Sequence, residues 1–478
     1  MDKISIEENT MLKKENRLPI GENKMATMPI GKLLVNMATP LIIAMVVQAL
    51  YNIVDSFFVS RISDVEAETE SAIAAMSLAF PVQNLLIGFA TGIGVGVNSL
   101  LSKSLGEGNR ERANQAAGNG IVLTLVAWAL FMLFGLFFTR PFFQIQSDVP
   151  LTVENGTIYT SIVCIFSLGI LIEVLGERLL QASGRTFYTL ITQGTGAIVN
   201  IILDPILIFG LFGLPKMGIA GAAIATVIGQ WIAAILAVIF NLKVNPDVQF
   251  SLPYLRPRWN ILRPILTVGI PSIIMTGIGS VMNFAMNQIL LSFSHLGEVP
   301  TGVFGIYFKL QSFFFMPLFG LNNAAISIIA FNYGARKPER ITKTLKISLT
   351  CAMTFMLVGL AVFQLFPDKL LSIFQTGETF LTVGSVALRV ISLHFPLAAI
   401  SICLISSFQA MGIGIYSTFT AICRYLEVYT TLCSIAIDNC DILNQLIETY
   451  KGTLYRQTMF ASFEKQMHAR IEKGDIEA

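Results

Sequence analysis

One constant offset organises this chain. Gln83, Gly106, Gln181 and Gly184 recur as Gln311, Gly334, Gln409 and Gly412, each pair 228 residues apart. The segments that carry them are long and apolar, so the repeated unit is a bundle of membrane helices. Two bundles of this kind enclose a cavity in secondary transporters, where the repeats rock against each other around a site at their interface. The repeat therefore restricts the chain to a two-lobed membrane architecture.

Composition supports that restriction. Charged residues make up 13% of the chain, about half the share of ~25% carried by soluble domains. The net charge of +2 argues for no nucleic-acid partner, because the basic residues sit in loops between apolar spans. Cys164, Cys351, Cys403, Cys423, Cys433 and Cys440 show no paired spacing. They read as small hydrophobes rather than disulfides or metal ligands. His295, His394 and His468 are too scattered for a metal site, and no cofactor is expected. Residues 1–30 are polar and lack the early apolar core of a cleavable signal peptide.

Apolar runs of about 20 residues mark membrane spans. Ten are predicted, at about 33–60, 72–102, 120–138, 157–182, 188–212, 218–241, 264–294, 303–330, 347–366 and 383–408, with a weaker eleventh at roughly 413–438. Basic residues gather in the N-terminal segment and in the 103–112, 242–263 and 331–346 loops, whereas the 61–70 loop is acidic. The positive-inside rule then puts the basic loops and the N-terminus in the cytoplasm of a multi-pass cell-membrane protein. The expected organisation is a cytoplasmic segment 1–32, an N-lobe of six spans over 33–241, a cytoplasmic linker 242–263, a C-lobe over 264–440 and a polar tail over 441–478. An even number of spans separates the lobes, so the repeats are parallel.

Several ordered stretches resemble the multidrug and toxic compound extrusion (MATE) family, within it the bacterial branch of MepA- and DinF-like proteins. They are PLIIAMVVQALYNIVDSFFVS from Pro40, FATGIGVGVNSLLSKSLGEGNRERANQA over 89–116, ERLLQASGR over 177–185 and NIILDPILIFGLFGLPKMGIAGAAIAT over 200–226. The C-lobe echoes them in GIPS at 269–272 and AFNYGARKPERI at 330–341. The resemblance covers about 30–424 and implies an all-α fold of two six-helix lobes related by a pseudo-two-fold axis. It also implies a cation-coupled antiporter that exports amphipathic or cationic organic compounds. The glycines Gly88, Gly92, Gly94 and Gly96 lie inside an apolar helix and read as helix-packing positions. Gly106 and Gly334 read as C-terminal helix caps.

Polar residues within spans are costly and usually functional. Gln48, Asn52 and Asp55 are spaced i, i+4, i+7 and share one face of the first span. Asn200 and Asp204 share a face of the fifth, and Pro205 loosens the helix beside the acid. Counting from the outer loops at 1.5 Å per residue, Asp55, Asp204 and Thr226 lie roughly 9, 13 and 12 Å deep. Two acids at one depth raise each other's affinity for a proton. The residues alone leave two alternatives for Asp55, a helix cap or an ion pair with Arg61. The resemblance implies that Asp55, Asn200, Asp204 and Thr226 form a site for H+ or Na+. Pro40, Gln48, Asn52, Gln83, Pro205, Asn283 and Gln311 are the expected cavity and gating positions.

The C-lobe has lost both acids: Asp55 maps to Met286 and Asp204 to Leu432. Coupling is therefore expected in the N-lobe. Glu177 and Arg178 suggest a structural pair. Lys309 either snorkels outward or lines the cavity, and the Phe313–Met316 stripe reads first as lipid-facing packing. After Ile422 no apolar run reaches 18 residues. The last part of the C-lobe thus reads as incomplete, with a tail over 441–478 that does not cross the membrane. The expected partners are small amphipathic substrates and the bilayer, and the expected state is a monomer without enzymatic activity. The alternatives are a flippase of lipid-linked precursors with a related fold and a decayed, non-transporting paralogue.

Overall fold

The computed structural model describes residues 23–59, 66–291, 299–372 and 378–423. Every regular element among them is helical. The spans are α1 (Ile30–Val59), α2 (Glu66–Gly106), α3 (Arg110–Phe137), α4a (Pro150–Ile165) with α4b (Leu168–Ala182), α5 (Thr186–Phe209) and α6 (Ile219–Val244) in the first lobe. The second lobe holds α7 (Trp259–Leu291), α8 (Val299–Gly334), α9 (Pro338–Leu365) and α10a (Glu378–Ser392) with α10b (Phe395–Ala410). A short apolar helix, α11 (Gly414–Cys423), follows. Eight described helices are long and apolar enough to cross a bilayer, and the two bent pairs bring the number to ten. The ten expected spans and the all-α, two-lobed class agree with this. The expected incompleteness of the C-lobe after Arg424 lies outside the described residues.

The fourth and tenth spans are bent at the same place in each repeat, by 45° and 42°. At α10 the cause is Pro396, which starts α10b without an N–H to donate. At α4 the Ser167 hydroxyl takes the Cys164 carbonyl at 2.7 Å, closing the first half-helix.

The stretch joining the lobes is strapped along α3. The Asn119 amide oxygen accepts from the Arg258 N–H at 2.9 Å, and Asn114 Oδ1 accepts from the Gln249 N–H at 2.8 Å. Gly118 lets the Tyr254 carbonyl approach closer than a side chain would allow. This strap marks one end of the molecule as the linker face. Arg112, Arg185, Lys243, Arg256, Lys337 and Arg340 gather there, at helix ends and in connecting turns.

The two lobes meet through α2 against α7 and through α1 and α2 against α8. Gly92 and Gly269 face each other across the first contact, and a Cβ on either would press on the other's carbonyl oxygen. Nearer the linker face, a Cβ on Gly106 would overlap the Phe331 carbonyl oxygen. One on Gly334, its repeat partner, would overlap the Lys103 carbonyl oxygen. The two crossings are reciprocal. Gly88, Gly92 and Gly96 are thus the packing positions the sequence indicated, and so is Gly94, which packs on Arg178 within the first lobe.

The expected cap role of Gly106 and Gly334 is corrected. Both are the last helical residues, and the left-handed positions come two residues later, at Gly108 (φ 71°) and Arg336 (φ 56°). The Asn109 N–H returns to the Ser104 carbonyl and the Lys337 N–H to the Asn332 carbonyl, which closes both helices. The first lobe spends a glycine there and the second an arginine, at a cost of about 1–2 kcal/mol.

Gly106→Ala and Gly334→Ala should each destabilise the protein by about 1–3 kcal/mol, the usual cost of overpacking. Gly194→Ala, where a Cβ meets nothing within 4 Å, should be neutral or slightly stabilising. Thermal unfolding of the three purified variants checks this. Equal midpoints for all three would deny the close crossing.

Candidate functional site

The first polar centre lies between α5 and α6. Two glycine contacts draw these helices together. Gly196 and Gly229 face each other's carbonyls, and Gly221 meets the Leu207 backbone. Between these two contacts the helices hold Asn200, Asp204 and Thr226, exposed by 3%, 0% and 9%. Gly196, Asn200 and Asp204 recur every four residues, so the packing stripe continues into the polar one.

In one orientation of the Asn200 amide, Nδ2 lies 3.3 Å from Asp204 Oδ1 and 3.3 Å from Thr226 Oγ1. Turned over, it donates to Asp204 Oδ2 at 3.1 Å and accepts from the Thr226 N–H at 3.1 Å. The second orientation gives each amide atom a complementary partner. Either way the three residues form one cluster in a membrane-buried helix pair. Their oxygens are hard donors of the kind that suit a proton or a small hard cation. Pro205 continues α5 beside the acid.

The other expected positions divide. Asn52 and Asp55 lie on α1, and α1 packs on α5. Their side chains, like that of Asn283 on α7, are outside the described residues. Gln48 accepts from Gln193 Nε2 at 3.4 Å, which ties α1 to α5. Pro40 sits within α1, two residues before Ile42, whose backbone packs against Gly320 of α8. Gln83 donates to the Tyr159 hydroxyl at 2.7 Å. Gln311, its repeat partner, lines a cavity.

That cavity occupies about 460 Å³ in the second lobe, walled by α7, α8 and α10 and bordered by α2. Phe315, Met316, Gln311, His394, Ser272 and Gln409 are on its wall. The Phe313–Met316 stripe therefore splits. Phe315 and Met316 face the cavity, Phe314 packs on Phe355, Phe363 and Phe395, and Phe313 is exposed. Lys309 is exposed and takes no part in the wall, which leaves the outward reading.

Glu177 and Arg178 do not pair. The Thr192 hydroxyl donates to Glu177 Oε1 at 2.8 Å, within the first lobe. Arg178 turns the other way. Its guanidinium donates to Gln181 at 3.0 Å and to Asn323 Oδ1 of α8 at 2.8 Å. Two further contacts join the lobes beside it. The Ser327 hydroxyl donates to Asn98 Oδ1 at 3.1 Å, and the Ser99 hydroxyl to the Gln409 carbonyl at 2.8 Å. Sequence reasoning did not find this lattice. Its one visible signal was that Ser99 and Ser327 are themselves repeat partners.

A two-lobed bundle of ten described spans, with a buried acid cluster in one lobe and a cavity in the other, is the build of a multi-pass membrane transporter. The family model MatE matches residues 40–206 and 271–432, the two repeats. These blocks cover more than half of the chain, which belongs to this family of multidrug efflux transporters. The likeness runs to residue 432, beyond the limit of about 424 expected from the sequence.

The chain is 26% identical over 433 residues to a protein of Shewanella oneidensis named FAD transporter, covering 89% of this chain and 90% of the relative. It is 24% identical over 395 residues to the multidrug export protein MepA of Staphylococcus haemolyticus, covering 83% and 84%. A solved structure of an outward-facing multidrug resistance MATE transporter shares the fold. Its TM-score is 0.84, with 23% identity and coverage of 95% of this chain and 99% of the other.

Arg178→Ala should destabilise the protein by about 1–3 kcal/mol, because it strips Gln181 and Asn323 of a charged donor. Combined with Asn323→Ala in a double-mutant cycle, the pair should show a coupling of about 0.5–3 kcal/mol. Chemical-denaturation midpoints of the four proteins measure it. Simple additivity would mean that the contact does not join the lobes.

Proposed function

We propose that this chain is a cation-coupled antiporter that exports amphipathic organic compounds across the cell membrane, acting as a monomer with its N-terminus and linker face in the cytoplasm. The observation that carries the reading is Asp204, an acid at 0% exposure inside a membrane-spanning helix and held by Asn200. An intramembrane acid is expensive to keep and is usually retained for function. Asn200, Thr226 and the α1 acid Asp55 complete the proposed site for H+ or Na+. The basic loops of the linker face support its cytoplasmic placement. The names of the relatives cover a flavin nucleotide and drugs, all small organic solutes.

The driving force is sufficient. One charge falling through 100 mV yields about 2.3 kcal/mol, and one pH unit adds about 1.4 kcal/mol. Together they support a solute gradient of a few hundred-fold. Loading Asp204 and Asp55 from the outer side would neutralise the first lobe and favour release outward, and unloading on the other side would reset it.

Cells expressing the chain should expel a fluorescent amphipathic dye, and a protonophore or a sodium ionophore should stop them. Asp204→Asn should abolish efflux with the protein still folded, since the amide fits the site but exchanges no proton. Asp55→Asn should be nearly as severe, and the double variant no worse than the worse single one. Ionophore-sensitive efflux by Asp204→Asn at the original rate removes Asp204 from the mechanism. Additive losses assign the two acids separate roles. No efflux at all from the unaltered chain identifies a non-transporting paralogue.

A further inference from the structure

The repeat makes the two lobes comparable position by position, and at one position they differ in the partner offered to a matched glutamine. In the first lobe Gln83 is capped by the Tyr159 hydroxyl. In the second lobe the residue matching Tyr159 is Ala387, while Gln83 is matched by Gln311. Helices α4a and α10a keep the same register, since Pro150–Ile165 and Glu378–Ser392 start 228 residues apart. The tyrosine that holds Gln83 in the first lobe is thus missing from the second. Gln311 has no hydrogen-bond partner among the described residues and faces the 460 Å³ cavity. That volume lies in the range of about 300–1,000 Å³ that holds drug-sized ligands.

The chemistry of the wall selects among such ligands. Phe308, Phe315 and Phe319 offer ring faces, and Asn322, Gln311 and Ser312 offer amides and a hydroxyl. Asn322 Oδ1 is buried without a partner, an acceptor that a ligand donor would satisfy. Asn323, also on the wall, accepts from the Arg178 guanidinium on its oxygen, which sets a positive charge next to the wall. His394 holds the Ile391 carbonyl through Nδ1. A carbonyl only accepts, so Nδ1 carries the proton.

Among the described residues no carboxylate lies on the wall. None exists along α7, and α8 carries no acid at all. A cation entering this site would lose its water and find no counter-charge, and ring faces return less than that desolvation costs.

We propose that this cavity is a substrate site for uncharged planar heteroaromatic compounds whose edges carry hydrogen-bond donors and acceptors, and that it rejects organic cations of the same size. The proposal deepens the export reading above and rests on it. It replaces organic cations, expected from the sequence, as the preferred substrate class.

Two fluorescent three-ring compounds test it: riboflavin, which is neutral, and proflavine, which is cationic. Each is titrated at equilibrium into the purified full-length protein in lipid nanodiscs. Riboflavin should bind at least tenfold more tightly than proflavine. Gln311→Glu, which supplies the missing carboxylate, should shift the ratio at least tenfold toward proflavine. This gain of binding does not arise from misfolding. Ala387→Tyr, which gives Gln311 the hydroxyl partner that Gln83 has in the first lobe, should weaken riboflavin binding with the thermal midpoint preserved.

Proflavine binding as tight as riboflavin, no saturable riboflavin binding, or an unchanged ratio in Gln311→Glu each overturns the proposal. Efflux with the wrong preference sinks this inference alone. The right preference without ion-driven efflux sinks the export reading alone.

Discussion

The bilayer supplies no water to satisfy a polar group, and the organisation of this protein follows from that. Each intramembrane polar side chain must find a partner on a neighbouring helix or face an enclosed space. Arg178, Ser99 and Ser327 take the first course and tie one lobe to the other. Asn200 and Thr226 take it within the first lobe, around Asp204. Gln311 and Asn322 take the second, on the cavity wall. These polar residues are thus gathered where the lobes meet, around Asp204 and on the cavity wall.

Small residues decide how closely those partners can approach. Gly196 and Gly229 set α5 against α6 one turn from the acid cluster, and Gly106 and Gly334 set the lobe crossing near the linker face. Without an apolar drive between helices in lipid, association depends on this close backbone contact and on the hydrogen bonds it permits. The same crossings lie on the linker-face half of α2 and α8. A lobe movement that opened that face would have to separate them and break the Arg178–Asn323 contact, which makes the lattice a natural place for the barrier between two states.

The two lobes began as one pattern and have been put to different uses. The first retains the acids Asp55 and Asp204, and the second carries Met286 and Leu432 in their places. The second has Ala387 where the first has Tyr159, and its Gln311 borders a cavity. The proposed ion site lies in the first lobe and the proposed solute site in the second.

The sequence by itself determined the class, the repeat, the ten spans and the cluster of Asn200, Asp204 and Thr226. Apolar length, a constant offset and fourfold spacing along a helix are local properties, and the bilayer leaves them few ways to fold. It misjudged Gly106 and Gly334, because a glycine at a helix end looks the same whether it supplies a left-handed turn or a close approach. It suggested a pair for Glu177 and Arg178, because adjacent numbers hide that successive helical residues point about 100° apart. Which way Arg178 reached, that Phe315 faces inward while Phe313 faces out, and that Gln311 borders a cavity were decided only by the tertiary structure. Those outcomes depend on which helix stands opposite, and that is set by packing across hundreds of residues rather than by any local run.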